Sequence, residues 1–574
     1  MAISKDWLIS SPISAQADEN LAAFPPILRQ LLFNRGYATD AEARAYLKAE
    51  PDFDTNPFQL KGMEKTIERL RFAFDNHEKI AIYGDYDVDG VTATALLVQT
   101  LKLFNADVQG YIPHRFDEGY GLNKEALDNL KASGVRLVIT VDCGIRSPDE
   151  ALYAQNIGLD LIISDHHHPA EGPLAPAFAV INPKQKNDGY PDKNLAGVGI
   201  AYKIAEALHT IQPTAIDLEK LLDLVALGTV ADLAPLVGEN RVLVRRGLKQ
   251  IRQTERQGLY SLANVAEIPI SKTTASQIGY SLGPRLNAAG RLDSAKDALE
   301  LLTTTDIIQA GQLAQKLNVQ NRERQLLTRA TQEKAEILAM ADEQDPYLLF
   351  AVDEGFNAGV VGLAASRLME THVRPAIVAA KGAEETRGSC RSIPGFHITD
   401  ALDQCTDLLV RHGGHAAAAG FTVRNENLPE LIRRLKSIAK DQLGNRELRP
   451  TLAADMEVRL SELNFELLKQ LSYFEPNGYG NPDALFVSRD LKVKSSRTVG
   501  AEGKHLKITF ENGRGTFMDA IGFSLGALQQ TLQPRVDVLF SFESNEYNGR
   551  TSLQLNLKDV KPAGTIDKAV LPIH

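Results

Sequence analysis

Three short apolar runs, each followed at once by acidic or histidine side chains, constrain this chain more than any other feature of its sequence. The runs occupy residues 79–84, 137–141 and 159–163, and the sequences DYDVDG, DCG and SDHHH follow them. Apolar runs of this length predict the buried strands of a parallel sheet. Because such sheets bind ligands beyond the carboxyl ends of their strands, the three sets of polar side chains are expected to meet in one site.

The side chains after the first run suit a divalent cation. Asp85, Asp87 and Asp89 alternate, and side chains two residues apart lie on one face of an extended chain, so these carboxylates can converge. A further carboxylate, Asp232, lies in the apolar and mostly helix-like stretch of residues 221–235. Because burying an unpaired charge is costly, Asp232 is expected to be paired or bound to metal, with a helix cap or a turn residue as the alternative.

The sequence DYDVDG has two further interpretations. It resembles the start of a calcium-binding loop, which requires a glutamate at its twelfth position and a flanking helix. The twelfth residue from Asp85 is Leu96 and a strand-like run precedes the motif, so this loop is excluded. Aspartates also occur in solvent-exposed turns after strands, which stays the alternative for any one of them. That alternative explains poorly three strand ends that together supply carboxylates and imidazoles.

Six sequence blocks resemble those of a known superfamily. They are GDYDVDG, VDCG, SDHHHP, ALGTVADLAPL, LGPRLNAAGRL and GGHAAAAGF, and they occur between residues 80 and 421. Their sequences and order resemble the DHH phosphoesterase superfamily, and within it the bacterial exonucleases that degrade single-stranded DNA in the 5′→3′ direction. One departure is Cys143, where related sequences often carry asparagine, and it removes no ligand.

The resemblance implies the catalytic residues. Its metal ligands correspond to Asp87, Asp89, Asp142, His166 and Asp232, with Asp142 as the bridge between two ions. Asp85 is a further candidate for the ligand set or its surroundings. The resemblance also implies that His167 is catalytic and faces the scissile phosphate.

The types of ligand indicate which metal is used. Carboxylates with imidazole and without thiolate suit Mn²⁺ or Mg²⁺, and the histidine favours Mn²⁺, because Mg²⁺ prefers an all-oxygen shell. Two ions bridged by a shared carboxylate can activate a water and stabilise both the attacking and the leaving oxygen of a phosphodiester. We therefore expect a hydrolase with two Mn²⁺ or Mg²⁺ ions.

An exonuclease must also hold the end of its strand. Arginines can bind phosphate through two hydrogen bonds, and the glycine-rich sequence GGH allows a phosphate to approach the backbone closely. A loop is expected at the sequence GSCRSIPG. The substrate-binding candidates are Arg115, Asn287, Arg291, Ser389, Arg391, Gly414 and His415. For each arginine alone, an ion pair at the surface or between domains is the alternative.

Length and charge constrain the organisation and the partners. At 574 residues the chain is too long for one hydrophobic core and is expected to form three or four domains. Its net charge of −10 argues against nucleic acid, but a carboxylate-built metal site adds negative charge and a binding groove needs only local basicity. Residues 241–252 and 322–334 supply local basicity, with a solvated helix face as the alternative for each.

The cellular compartment follows from what the sequence lacks. No apolar run approaches the roughly 18 residues that span a membrane, and no signal-peptide core follows Lys5 and Asp6. The three cysteines are scattered, so neither a disulfide framework nor a zinc site is indicated. We expect a cytoplasmic protein without a membrane partner.

The strand and helix patterns predict an α/β multidomain fold. Residues 1–60 are expected to form an N-terminal helical cap on the main domain, residues 61–305 a parallel-sheet DHH catalytic domain, and residues 306–342 a long connecting helix. Residues 343–449 are expected to form a smaller α/β DHHA1 domain. Residues 450–574 predict an OB-type β-barrel, a fold that commonly binds single strands.

The resemblance implies a metal-dependent exonuclease that degrades single-stranded DNA 5′→3′ to mononucleotides in recombinational and mismatch repair. Its expected partners are single-stranded DNA, a helicase and a single-strand-binding protein, and we expect a monomer. One alternative is a smaller DHH-type phosphodiesterase that cleaves oligoribonucleotides or cyclic dinucleotides, which the predicted barrel and long helix disfavour. The other is an inactive DHH-type replication scaffold, which the complete ligand set disfavours.

Overall fold

The computed structural model describes residues 5–51, 53–114, 118, 121–213, 215–292, 294–341, 347–444, 446–511, 517–547 and 549–565. The chain divides into two compact units. The first comprises Met1–Pro284, Leu299–Gly311 and Thr451–His574, and the second comprises Arg285–Ala298 and Gln312–Pro450. None of the described helices combines the length and the apolarity that crossing a membrane requires.

The N-terminal segment contains one strand and three helices. They are β1 (Asp6–Ile9), α1 (Ala15–Asn20), α2 (Pro26–Asn34) and α3 (Asp40–Lys48). Helix α3 begins with a capping box, because the Thr39 hydroxyl accepts the backbone N–H of Glu42 and the Glu42 carboxylate accepts that of Thr39. Helices α2 and α3 are two of the helices of the cap that the sequence predicts over residues 1–60.

The expected parallel sheet has five strands that alternate with helices. In chain order the elements are α4 (Met63–Asp75), β2 (Lys79–Gly84), α5 (Val88–Lys102), β3 (Val108–Tyr111), α6 (Lys124–Ala132), β4 (Val135–Val141), α7 (Pro148–Asn156), β5 (Asp160–Ser164) and β6 (Ala179–Ile181). The strand order is β3-β2-β4-β5-β6, and all pairs are parallel. Strands β2, β4 and β5 are almost entirely buried, as apolar strands between helical layers should be.

A run of helices follows this sheet. They are α8 (Gly197–Ile211), α9 (Leu218–Ala231), α10 (Gly238–Ile251), α11 (Gln257–Val265), α12 (Ala275–Gln277), a π-helix (Ile278–Leu282), α13 (Gly283–Leu292) and α14 (Lys296–Thr303). Helices α8 and α9 pack against α5, and most residues of these three helices are buried or partly buried. They form the interior of the first unit beside the sheet.

The long helix that the sequence predicts is a single helix, α15 (Ile307–Met340). After it come β7 (Leu349–Asp353), α16 (Val361–His372), β8 (Ala376–Lys381), β9 (Glu385–Arg391), α17 (Ile398–Asp403), β10 (Leu409–His415), β11 (Ala418–Arg424) and α18 (Leu428–Leu443). The strand order is β10-β11-β9-β8-β7, in which only β7 and β8 are parallel. The smaller α/β fold is confirmed as a mixed sheet.

The C-terminal region is a closed barrel. Its elements are β12 (Thr451–Ala454), β13 (Met456–Glu457), α19 (Phe465–Leu471), β14 (Leu485–Val499), β15 (His505–Glu511), β16 (Phe517–Gly522), β17 (Arg535–Tyr547) and β18 (Arg550–Pro562). The long strand β14 pairs with β15 at one end and with β17 at the other, which closes the order β14-β15-β16-β18-β17. The predicted OB-type barrel is confirmed.

The N-terminal segment packs on this barrel. Strand β1 pairs in parallel with β12, and the buried indole of Trp7 donates a hydrogen bond to Asp559 over 2.8 Å. Apolar side chains of α2 and α3, among them Leu31 and Tyr46, share a hydrophobic core with barrel residues such as Phe540. Short amphipathic helices reveal which face is apolar but not what covers it, so the sequence alone does not identify the barrel as the partner.

The basic stretch of residues 241–252 has a structural role. Arg241 is 2% exposed and donates hydrogen bonds to the carbonyl oxygens of Tyr46, Tyr473 and Glu475. Arg245 donates to the carbonyl of Leu47 over 2.7 Å. These arginines therefore join α10 to the N-terminal segment and the barrel. Burial removes Arg241 from the residues that could contact nucleic acid.

Candidate active site

The predicted metal-site residues come together at the carboxyl edge of the parallel sheet. They form three overlapping groups in which potential ligand atoms lie within 4.8 Å of one another. The groups are Asp85–Asp87–Asp142, Asp89–His166–Asp232 and Asp142–His166–His167. These seven residues are called the carboxylate cluster below. They include all the predicted metal ligands, with Asp85 and His167.

The three aspartates after β2 converge for a different reason from the one expected. Strand β2 ends at Gly84, Asp87 is the N-cap of α5, and Asp89 lies in the first turn of that helix. The carboxylate of Asp87 accepts the backbone N–H groups of Asp89 and Gly90. The motif is therefore a strand-to-helix turn, and the alternation of an extended chain does not align these side chains.

The first turn of α8 fixes the carboxylate of Asp89. Its two oxygens accept the backbone N–H groups of Gly197 and Val198 over 2.7 and 2.8 Å. A Cβ on Gly197 would lie 2.7 Å from the Cβ of Asp142 and 3.0 Å from an oxygen of Asp89. Glycine is therefore required for this close approach, and the helix N-terminus stabilises the negative charge.

Asp142 and His166 form the centre of the cluster. Asp142 has a φ of +61°, a left-handed conformation that aspartate tolerates better than most residues. One of its oxygens lies 3.1 Å from Nε2 of His166. That nitrogen is also 3.8 Å from an oxygen of Asp232 and 3.9 Å from one of Asp89. One imidazole nitrogen thus faces three carboxylates.

The donor atoms in this cluster fit divalent cations. Asp142 Oδ1 and His166 Nε2 are buried, and within the described part of the chain neither has a hydrogen-bond partner. Two such acceptors facing each other need a proton or a cation between them. Carboxylates combined with imidazole are the donor set that Mn²⁺ accepts and that Mg²⁺ tolerates.

Burial and mutual repulsion shift the pKa values of the cluster. Burial and then the charge of Asp87 raise the pKa of Asp89 to about 7, and burial followed by the charges of Asp89 and Asp87 raises the pKa of Asp232 to about 9. Burial and the charge of Asp89 also place the pKa of Asp142 well above its ordinary value. Burial lowers the pKa of His166 to about 3, so its imidazole is neutral, the form that binds metal.

Asp165 is a site residue that the sequence analysis did not assign. One of its oxygens lies 2.8 Å from Nδ1 of His167 and accepts the His167 backbone N–H, and the other accepts the N–H of Ile145. Burial alone would raise the pKa of Asp165, but the bond to His167 lowers it. Burial lowers the pKa of His167, but the bond to Asp165 raises it overall. Asp165 therefore orients His167 and favours its protonated form.

Two further residues hold the backbone of His166 and His167 in place. The amide of Asn182 donates to the carbonyl of His167 over 2.9 Å, and the ammonium of Lys184 donates to the carbonyl of His166 over 2.6 Å. Both residues closely follow β6, the strand beside β5. Ligand sites in parallel sheets lie at the carboxyl ends of the strands, and applying this rule to β6 as well would have identified both residues.

The second unit brings three predicted substrate-binding residues to the start of helix α16. Arg291, in the last turn of α13, donates to the carbonyl of Gly359 over 3.3 Å. A Cβ on Gly362, in the first turn of α16, would lie 2.9 Å from Oγ of Ser389 and 3.1 Å from Nη2 of Arg391. Arg291, Ser389 and Arg391 are called the arginine cluster below.

Two residues of the arginine cluster lie on a strand, whereas the sequence analysis expected a loop at this position. Ser389 and Arg391 belong to β9, where alternation places both on one face of the sheet. Arg391 pairs through Ala418 with His415 of β10, so the register brings His415 to the same face two strands away. The small and polar residues of GSCRSIPG are typical of a loop, which is why the sequence analysis predicted one. That residues 385–391 form a strand is evident only from the pairing of β9 with β8 and β11.

The remaining candidates are placed as follows. Gly414 lies in β10, where a Cβ would lie 2.5 Å from the Cα of Ala419, so strand packing already explains this glycine and its phosphate contact stays a prediction. Asn287 lies in the middle of α13, and its role also stays a prediction. Arg115 lies outside the described residues.

Three family models match the chain. The DHH family N-terminal domain matches residues 79–229, the DHHA1 domain matches residues 344–441, and the RecJ OB domain matches residues 454–559. The first match contains every candidate metal ligand except Asp232. The second contains Ser389, Arg391, Gly414 and His415.

The chain is also similar to curated proteins over most of its length. The single-stranded-DNA-specific exonuclease RecJ of Bacillus subtilis is 39% identical over 542 residues, which cover 93% of this chain and 68% of that protein. The protein of the same name from Salmonella typhimurium is 35% identical over 579 residues, which cover 95% of this chain and 98% of that protein.

Solved structures give the same result. The crystal structure of RecJ from Thermus thermophilus in complex with Mn²⁺ matches with a TM-score of 0.84 and 29% identity, covering 99% of this chain and 81% of that one. The structure of that protein in complex with Mg²⁺ matches with a TM-score of 0.79, 28% identity and coverage of 99% and 80%.

Proposed function

The chain belongs to the RecJ family of single-stranded-DNA-specific exonucleases, and from that premise we propose that it degrades single-stranded DNA from the 5′ end to mononucleotides. It is a nuclease that uses Mn²⁺ or Mg²⁺. The observation that carries the proposal is the carboxylate cluster, in which three overlapping groups each bring their ligand atoms within 4.8 Å of one another. The complete set argues against an inactive scaffold, and the barrel argues against a small phosphodiesterase.

The cluster divides the work among its residues. Asp87, Asp89, Asp142, His166 and Asp232 would hold two ions, with Asp142 shared between them and Asp85 beside Asp87. Bound there, divalent ions lower the pKa of water and neutralise charge on the phosphodiester. Asp165 holds the ring of His167, which we assign to the scissile phosphate, where a protonated imidazole would stabilise developing negative charge.

The arginine cluster would bind the terminal phosphate of the strand. Ser389 supplies a hydroxyl, Arg291 and Arg391 supply guanidinium groups, and the first turn of α16 supplies backbone N–H groups. Each of these groups suits a phosphate with two negative charges better than one with a single charge. This arrangement supports a preference for a 5′-phosphate end.

The cellular setting is part of the same proposal. An enzyme that removes nucleotides from single strands requires duplex to be opened, so a helicase and a single-strand-binding protein are its partners. We place it in the cytoplasm as a monomer, acting in recombinational and mismatch repair. The OB-type barrel would hold the strand away from the chemistry.

One experiment tests the activity directly. The protein is incubated with single-stranded DNA and RNA labelled at either the 5′ or the 3′ end, in Mn²⁺ or Mg²⁺, and the products are identified over time. Labelled mononucleotide is expected at once from the 5′-labelled DNA and only late from the 3′-labelled DNA. Prompt release from the 3′ label, or equal cleavage of internal bonds, would contradict the proposal.

A further inference from the structure

Leu233, the residue after Asp232, combines a strained backbone with an exposed side chain. Its φ is +60°, in the left-handed region that leucine rarely adopts, and its side chain is 67% exposed. Strained residues persist where the surrounding structure holds them, and they cluster at binding and catalytic sites. An apolar side chain is thus presented to solvent directly beside a candidate metal ligand.

A second exposed apolar side chain lies on a segment that packs against the same turn. Tyr479 is 65% exposed, and its carbonyl accepts the backbone N–H of Leu236 over 2.7 Å. A Cβ on the next residue, Gly480, would lie 3.0 Å from the Cβ of Pro235. The backbone of this barrel segment is therefore fixed against residues 235 and 236, while the tyrosine ring remains in solvent.

A third such side chain comes from the π-helix. Tyr280 is 86% exposed, although the helix that carries it packs on the end of α9. A Cβ on Gly279 would lie 3.8 Å from Val230, and one on Gly283 would lie 3.2 Å from Ala231. A π-helix is an unusual conformation that occurs frequently at functional sites. It places Tyr280 on a turn whose flanking glycines pack against the residues that lead into Asp232.

We propose that Leu233, Tyr280 and Tyr479, called the mouth residues, bind the unpaired bases of the strand whose backbone reaches the carboxylate cluster. The inference rests on the proposed function and names the part of the substrate that these residues contact. Aromatic rings stack on the faces of all four bases, and an aliphatic side chain such as that of Leu233 can pack against the same faces. Single strands expose those faces, whereas a duplex stacks them inside. The mouth residues would therefore contribute to selectivity for single strands.

The test compares a strand with bases and a strand without them. Equilibrium binding of a 5′-phosphorylated oligothymidylate and of an abasic strand of equal length is measured by fluorescence anisotropy in EDTA, so that no cleavage occurs. The variants are Tyr280→Ala, Tyr479→Ala, the corresponding phenylalanine substitutions and Leu233→Asn, because asparagine tolerates a positive φ. Phe72→Ala is the control, since Phe72 is 54% exposed on α4, the helix that leads into the amino end of β2.

Each alanine variant should bind oligothymidylate about 5- to 150-fold more weakly than the wild type, the range that stacking on one base implies. Its affinity for the abasic strand should change less than about twofold, and phenylalanine should restore binding. Unchanged affinity for both strands, or equal losses on both, would overturn the inference. If the wild type degrades no strand in Mn²⁺, the proposed function fails, whereas the base dependence of binding still decides this inference.

Discussion

The carboxylate cluster and the arginine cluster lie in separate folding units and are built by opposite means. In the first, backbone N–H groups at strand ends and helix N-termini hold carboxylates such as Asp87 and Asp89 in place. In the second, Arg291 and Arg391 are held by donating to backbone carbonyls. The first arrangement concentrates negative charge for cations, and the second concentrates donors for an anion. Hydrogen bonds to the protein backbone thus fix the charged groups of each cluster.

This difference predicts where a single substitution has the largest effect. Asp142→Asn keeps a side chain that tolerates φ of +61° but removes the charge that we propose two ions share, so the single-turnover rate should fall at least about 100-fold. Asp142→Ala should abolish turnover as well. Binding of single-stranded DNA in EDTA should be retained, because the loss of one carboxylate reduces repulsion of phosphate.

Asp149→Ala, an exposed aspartate in the first turn of α7, is the matched control and should keep the wild-type rate. A rate for Asp142→Asn within about tenfold of wild type would show that this carboxylate is not shared between two ions.

Asp165 tests whether orientation within the carboxylate cluster matters apart from metal binding. Asp165→Asn should lower kcat about 10- to 100-fold, the usual effect of removing a residue that orients a catalytic group. Because the bond to Asp165 raises the pKa of His167, the alkaline limb of the pH–rate profile should move to lower pH. Mn²⁺ affinity, measured by calorimetry, should change little. An unmoved alkaline limb would exclude a protonated His167 from the reaction.

The sequence could predict the carboxylate cluster because strand-end position and side-chain chemistry are both visible in it. Apolar runs ending in Asp142 and His166 determine the edge of a parallel sheet without knowledge of any long-range contact. The internal geometry was less predictable: the alternation of Asp85, Asp87 and Asp89 suggested a strand, but an N-cap at Asp87 begins a helix instead. Aspartates are common both in turns after strands and at helix N-caps, so composition could not distinguish them.

The arginine cluster was harder to place because its geometry depends on strand register. Ser389 and Arg391 look like loop residues in the sequence, and only their pairing with β11 aligns them with His415. The docking of the N-terminal helices on the barrel was missed for a related reason. Both features depend on contacts between residues far apart in the chain, and no local pattern records these.

Arg391→Ala tests the arginine cluster of the second unit. Loss of a charge-assisted contact with the terminal phosphate should raise KM about 10-fold for a 5′-phosphorylated strand and much less for a 5′-hydroxyl strand. Bound Mn²⁺ should be unchanged. Arg387→Ala is the matched control, because Arg387 lies on the same face of β9, four residues away, and is exposed. Equal losses on both kinds of end would assign Arg391 to a general backbone contact.

The smallest effect is expected from pH alone and concerns the carboxylate cluster without metal. Asp89 and Asp232 have pKa values raised to about 7 and about 9, so the folded protein holds protons that the unfolded chain releases above about pH 4. The stabilisation from these protonated groups is complete only below about pH 4, where the unfolded chain also holds the protons. It declines as pH rises further, because the folded protein then binds more protons than the unfolded chain, and it is lost above about pH 7 for Asp89 and above about pH 9 for Asp232. The Tm in EDTA should therefore fall by about 2 °C or more between pH 6 and pH 9.

Asp232→Asn, which does not titrate, should show a smaller fall in Tm, and Mn²⁺ should reverse the trend because it binds the deprotonated carboxylates. The opposite outcome would be a Tm in EDTA that rises between pH 6 and pH 9 in the wild type but not in Asp232→Asn. It would show that the carboxylates are already ionised in the folded protein and that other groups of the protein offset their repulsion.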